Sequence, residues 1–119
     1  MKVLGIDWGE KHTGLGLGWT DTGLSQPLTT VDTGKAIAKI LSVCLAESVA
    51  KIIIGVSEGE SGRKARAFAA GLQDKTQIAV ELADETLSSV QAKPFRQDHA
   101  AAAAIILELW LAEHRHNIV

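Results

Sequence analysis

The sequence of 119 residues contains one cysteine, two prolines, no tyrosine and only 4% aromatic residues. A lone cysteine, Cys44, excludes an intramolecular disulfide and any CxxC motif, so the expected compartment is the reducing cytoplasm. Nowhere do about 18 apolar residues follow one another, and Met1-Lys2-Val3-Leu4-Gly5-Ile6-Asp7 carries an acid where a signal peptide needs its apolar run. Neither a membrane span nor a secretory leader is expected. An excess of one charge is also missing: 12 Lys+Arg against 14 Asp+Glu give a formal charge of -2. A histone-like binder is thereby excluded, and a nucleic-acid partner would have to be met by a local basic patch.

What is present suits one packed domain over residues 1–119. Apolar residues make up 46% and charged residues 22%, close to the globular average, and the length matches the roughly 100–200 residues of a single domain.

The apolar run Lys2 to Trp8 predicts a strand buried on both faces and ended by Gly9. Thr13 to Trp19 alternates strictly, and its glycines would let another backbone approach one face closely. Leu28 to Val31, after Pro27, predicts a third strand. Between Lys35 and Ala50, Ile37, Ile40, Leu41, Cys44, Leu45, Ser48 and Val49 recur at helical spacing, with only Ser48 off-type. Ile52 to Val56 reads as a central parallel strand, Ser57 to Gly62 as a polar loop, Arg63 to Gln73 as a second helix, and Ile78 to Ala83 as a fifth strand. A short helical turn is expected at Leu87 to Ala92, before Pro94. An Ala-rich helix from Asp98 to about Glu113 has apolar residues on more than one face. The order β-β-β-α-β-α-β-α gives an α/β fold in which three antiparallel and two parallel strands form one mixed sheet flanked by helices, the ribonuclease H-like architecture.

Three acids stand out. Asp7 lies inside an apolar strand, where a carboxylate costs several kcal/mol unless it is paired, hydrogen-bonded or on a metal. Asp84 and Glu85 arrive at the carboxyl end of the fifth strand, where open α/β sheets place ligands; their adjacency lets one face the site, and Glu85 is the choice. Asp98 immediately precedes a helix, so an ordinary N-cap is the competing reading. If the three converge, they offer the oxygen cluster that Mg²⁺ or Mn²⁺ prefers for phosphodiester hydrolysis.

Four blocks resemble a known family: Gly5-Ile6-Asp7-Trp8-Gly9-Glu10-Lys11-His12-Thr13-Gly14-Leu15-Gly16, then Gly55-Val56 leading to Arg66-Ala67-Phe68-Ala69, then Asp84-Glu85-Thr86-Leu87-Ser88-Ser89, and Asp98-His99-Ala100 through Leu107. They look like the YqgF-type nucleases, also called RuvX, pre-16S rRNA nucleases or Holliday junction resolvases, and the likeness spans almost the whole chain. It implies a divalent-metal endonuclease acting on structured RNA or junction DNA, with Asp7, Glu85 and Asp98 at the acidic positions. His12 and Thr86 stand where the family usually carries basic residues.

Lys11, Arg63, Lys64, Arg66, Lys93 and Arg96 adjoin the acids in sequence-predicted loops and helix starts and can contact phosphates, with Glu58 and Glu60 opposing them. Each is also readable as a solvated surface cation. His99, His114 and His116 lack zinc-site spacing and read as surface residues. Cys44 reads as a core thiol. Trp8, Trp19 and Trp110 read as packing or interface residues, Trp110 being the candidate contact of a homodimer. Two other functions stay open. Asp7-Trp8-Gly9 with Gly14 also resembles the first phosphate loop of actin-like ATPases, although those close two such domains over a nucleotide. A catalytically silent scaffold that binds RNA or protein is the other.

Overall fold

A computed structural model describes residues 1–57, 59–84 and 98–114 of the chain. Strand β1 (Lys2–Asp7) pairs antiparallel with β2 (His12–Trp19), which pairs antiparallel with β3 (Ser25–Asp32). A 3-10 turn at Thr33–Lys35 leads into α1 (Ala36–Glu47), then β4 (Val49–Val56), α2 (Glu60–Gln73), β5 (Ala79–Asp84) and α3 (His99–His114). Strand β4 runs parallel to β1, and β5 parallel to β4, so the sheet order is β3-β2-β1-β4-β5 with β1 at its centre. This is the expected mixed sheet.

Several boundaries differ from the sequence-based expectation, each for a local reason. Helix α1 stops at Glu47 instead of reaching Ala50, because Ser48 turns left-handed at φ 55° and its N–H bonds the Cys44 carbonyl. The chain then enters β4 at once, and Val49 is buried as a strand residue. Leu45, counted in the apolar stripe, is 86% exposed; the buried face is Ala36, Ile40, Val43 and Cys44. Helix α2 begins at Glu60, earlier than Arg63. Gly62 reads as a loop residue, yet it sits in the first helical turn, where a Cβ would fall 1.7 Å from the Ser57 carbonyl oxygen. Pro27 is accommodated inside β3 because that strand lies at the sheet edge and the ladder is irregular between Leu15 and Gly16. The helical turn expected at Leu87 to Ala92 lies outside the described residues.

Each face of the sheet has its own core. Leu4, Ile6, Leu15, Leu17, Ile52, Ile54 and Val56 pack with α1 and α2, and Cys44 joins them as the expected core thiol. On the opposite face Val3 and Ile53 pack with Ile106, Leu107, Trp110 and Leu111 of α3. The β2 glycines face α3 and supply the expected close approach. A Cβ at Gly16 would lie 2.9 Å from the Ala104 nitrogen, and one at Gly14 only 2.0 Å from the His99 carbonyl carbon. Ala100, Ala103 and Ala104 are buried on the helix side of this contact, and Ser25 Oγ donates to the Ala104 carbonyl at 2.8 Å. The small side chains of the alanine run therefore let α3 lie almost on the strand backbone.

Trp110 is not free for a dimer contact. It is 6% exposed, packs in the α3 core and donates through Nε1–H to Glu81 of β5. His114, read as a surface residue in a frayed tail, ends α3 stacked on Trp110 at 4.0 Å, and its Nδ1–H donates to the Trp110 carbonyl at 2.8 Å. One helical turn separates the two, which brings the rings together. His116 lies outside the described residues.

Candidate active site

The carboxyl ends of β1, β4 and β5 form one edge of the sheet, and Asp7 is the last residue of the central strand. Alternation along β1 puts Asp7 on the side of Val3 and Gly5, facing α3. Its side chain is only 14% exposed. Burial pushes its carboxyl above the ordinary value of 3.8, and the hydrogen bond and charge of His99 oppose that rise only in part.

His99 is the group that meets Asp7. Its Nδ1–H donates to Asp7 Oδ2 at 2.7 Å, and the ring is 27% exposed. The surface reading of His99 is thus corrected, and the signal that could have found the contact is Gly14. That glycine stands directly opposite Asp7 in the β1–β2 ladder, and its bare Cα receives the His99 peptide. The Ala100 N–H fastens the same turn to β3 through Thr30 Oγ1, 3.2 Å away.

The loop after Asp7 is held from beneath by a hydroxyl pair that sequence reading missed. Thr33 Oγ1 donates to the Gly9 carbonyl at 2.5 Å, and the fully buried Thr13 lies 2.8 Å from Thr33 Oγ1. Each hydroxyl has one proton, so Thr13 is the donor in that second bond. Thr33 N–H also bonds the Lys11 carbonyl at 2.9 Å. On the other face Trp8 packs beside Phe68, with ring centroids 6.5 Å apart, which bears out a packing role.

Asp98 is exposed and caps α3: its Oδ1 accepts from the Ala101 N–H at 3.1 Å, and its carbonyl from the Ala102 N–H. Being adjacent to His99 in sequence, it stands at the corner that Asp7 occupies. Asp84 is assigned to the opposite face. Register aligns Asp7, Gly55 and Ala83, so Asp84, paired with Val56, falls on the α1 and α2 side. There it borders a cavity of about 300 Å³ with Val56, Ser57, Arg66 and Leu82. Glu85, the preferred acid of the pair, lies outside the described residues. Among the described residues no three of His, Cys, Asp and Glu gather in a metal-holding group. Of the three candidate acids, the structure describes Asp7 bonded to His99 in the first turn of α3 and Asp98 as the cap of that same helix. Carboxylate oxygens are hard ligands that suit a hard divalent cation more than a soft metal.

Of the basic residues, Lys11 lies in the loop after β1, and Arg63, Lys64 and Arg66 lie in α2, which follows β4. Lys64 of α2 pairs with Glu10 at 2.5 Å, which ties the start of α2 to the loop after β1. This pairing holds the Lys64 ammonium above its usual range and Glu10 below. Lys11, Arg63 and Arg66 are exposed. Arg96 and Lys93 lie outside the described residues, as does Glu58, while Glu60 is exposed at the start of α2. His12 is a second histidine at the rim, 3.8 Å from Asp32, its ring 6.5 Å from that of His99.

A mixed sheet in the order 3-2-1-4-5, with an acid ending its central strand and a helix start laid against that acid, defines a ribonuclease H-like domain. RuvC of Thermus thermophilus, solved in complex with a Holliday junction substrate, superposes with a TM-score of 0.65 over 96% of this chain and 95% of its own, at 18% identity. The fowlpox virus resolvase superposes with a TM-score of 0.56 at 11% identity, covering 100% and 99% of the two chains. The family described as "RuvX: Holliday junction resolvase" matches residues 1–113. The chain belongs to this family. A protein of Maridesulfovibrio salexigens named "Putative pre-16S rRNA nuclease" is 33% identical, covering 94% of this chain and 98% of its own. One of the same name from Anaeromyxobacter sp. (strain Fw109-5) is 34% identical, covering 98% and 99%. Among the described residues no helix is long and apolar enough to cross a membrane.

Proposed function

We propose that this chain is a cytoplasmic, divalent-metal-dependent endonuclease that cuts phosphodiester bonds in structured nucleic acid, with an rRNA precursor as substrate and junction DNA as the competing one. The rRNA precursor comes first because the two relatives that carry that name align with 94% and 98% of this chain at 33 and 34% identity. The observation that carries the reading is Asp7: a carboxylate buried at the carboxyl end of the central strand, with its Oδ2 held by His99 at the start of α3.

Asp7, Asp98 and, on the family resemblance, Glu85 would hold Mg²⁺ or Mn²⁺. Such a cation, when bound, polarises phosphate oxygens and makes water a stronger nucleophile at neutral pH. The chain's own part is positioning. The Thr13–Thr33–Gly9 bonds fix the loop that carries Lys11, so its ammonium can meet a phosphate at the same edge. Arg63 and Arg66, one helical turn apart on α2, extend the track, and Arg96 is proposed to extend it beyond the described residues. Lys64 reaches nucleic acid once Glu10 releases it. A homodimer is proposed only where the substrate is a two-fold junction, since a symmetric substrate is served by symmetric protomers.

Cleavage of a labelled 16S precursor fragment and of a four-way DNA junction, each with Mg²⁺, Mn²⁺ or EDTA, tests the reading. Metal-dependent cleavage by the wild type that is lost in Asp7→Asn is expected. Cleavage unchanged by that substitution rejects Asp7 as the metal-holding acid, and no hydrolysis of either substrate at high protein concentration rejects the nuclease reading in favour of a silent binding scaffold.

A further inference from the structure

The contact between His99 and Asp7 is built from several sides. Gly14, opposite Asp7, has no Cβ, so the His99 peptide lies against β2 where any side chain would stand 2.0 Å from its carbonyl atoms. Thr30, opposite Gly14 on β3, takes the next N–H of the helix. The ring itself is bounded by Gly9, where a Cβ would come within 3.0 Å of His99 Cε1. Glycines at both 9 and 14 thus make room for an imidazole at this one place, and the ring's Nδ1 arrives 2.7 Å from Asp7 Oδ2. Asp98 cannot do the same work, because a carboxylate has no N–H to donate; its Oδ1 accepts from the Ala101 N–H.

A carboxylate at the end of a strand can rotate about its Cβ–Cγ bond, and a ligand must then pay to stop it. A fixed N–H on one oxygen removes that freedom beforehand, as hydrogen-bond partners around metal ligands commonly do. We propose that His99 is a positioning residue for Asp7: its Nδ1–H holds Oδ2 and thereby directs Oδ1 toward the cation. This rests on the nuclease reading and adds a residue to it.

The discriminating experiment is Mn²⁺ titration calorimetry on wild type, His99→Ala, His99→Asn and His99→Gln, with thermal melts of each protein in EDTA and cleavage assays alongside. Asn places an amide N–H where Nδ1 stands, whereas Gln places it near Nε2. Alanine is expected to weaken Mn²⁺ binding about tenfold, Asn to recover most of the loss, and Gln to recover none. Comparison of Asn with Gln keeps the test decisive if the Ala variant fails to fold. Equal Mn²⁺ affinity in wild type and the Ala variant overturns the proposal. Recovery by Gln and not by Asn also overturns it, because the ring would then act through Nε2 as a ligand. A wild type that binds no Mn²⁺ rejects the nuclease reading itself and the positioning role with it, an outcome separate from a wild type that binds and cleaves while His99 proves dispensable.

Discussion

Asp7 of β1 and Gly14 of β2 face each other across the antiparallel ladder, and the helix that brings His99 to Asp7 does so by resting on Gly14. One position therefore sets both the packing of α3 and the surroundings of the acid. Gly14→Ala would put a methyl group 2.0 Å from backbone atoms that cannot rotate away. The expected cost is about 1–3 kcal/mol, as for other overpacked sites, with weaker Mn²⁺ binding as well. Gly71→Ala is the control. It lies in α2 with nothing within 4 Å of its would-be Cβ, and should gain up to about 1 kcal/mol from helix propensity alone. Urea denaturation of the two variants checks the pair; equal effects would mean that the close approach of α3 carries no weight.

Much of this arrangement was legible in the chain. Consecutive β-branched residues at Ile52 to Ile54 marked a central strand, and glycines on alternate positions of β2 marked a face with room for a backbone. Those patterns follow directly from strand geometry, so they survive translation into structure. The role of His99 did not, because a residue at the start of an alanine-rich helix gives no sign of what lies across from it until the register of two strands is known. Ser48 misled for a related reason: a non-glycine residue at φ 55° is uncommon, so periodicity carried the helix past its true end. Asp98 and Asp84 show the limit for acids, since a carboxylate beside a helix or strand end serves as cap or ligand with the same sequence around it.

Asp7→Asn should separate stability from activity. The ionised carboxylate is held in a largely buried place that raises its pKa, so its charge costs folding free energy when no cation is present. Asparagine keeps an oxygen for the His99 Nδ1–H and removes the charge. In EDTA at neutral pH the variant is expected to melt a few degrees higher than wild type while losing metal-dependent cleavage. A lower melting temperature would show that Asp7 is structural.

Glu81 links β5 to α3 and gives the fold an acid-sensitive joint. Partial burial pushes its carboxyl up, but the Trp110 Nε1–H, Lys51 at 3.4 Å and His114 at 3.9 Å outweigh this and hold it below the ordinary 4.5. With a folded pKa below the unfolded one, the unfolded chain binds more protons in that interval, so stability rises with pH there. The contribution is complete above pH 4.5 and is lost as pH falls through the depressed value. Glu81→Gln should lower the melting temperature by a few degrees at pH 7 and flatten its decline below pH 4.5. Parallel wild-type and variant curves across that range would contradict the assignment.

Lys64 is engaged by Glu10 on the exposed edge, so the two compete with any phosphate. Removing the acid should free the cation. Glu10→Gln is expected to tighten binding of a structured RNA a few-fold at low salt and to steepen the dependence of log K on log salt by close to one phosphate contact, about 0.7–0.9. Fluorescence anisotropy across 50–200 mM KCl measures both quantities. An unchanged slope would place Lys64 away from the nucleic acid.

The hydroxyl chain beneath the Asp7 loop provides a test by double substitution. Thr33→Val removes the donor to Gly9 and the acceptor of Thr13, which is fully buried and has no water to turn to. Leaving a buried hydroxyl unpaired costs about 1–3 kcal/mol, whereas replacing both members of a buried pair by shapes of equal size can be close to neutral. Thr13→Val with Thr33→Val should therefore be more stable than the sum of the single losses, leaving mainly the unsatisfied Gly9 carbonyl. A double-mutant cycle by denaturant melts is expected to give a coupling of about 1 kcal/mol. Strict additivity would mean that the two threonines do not share a proton, and that the loop after Asp7 is held in some other way.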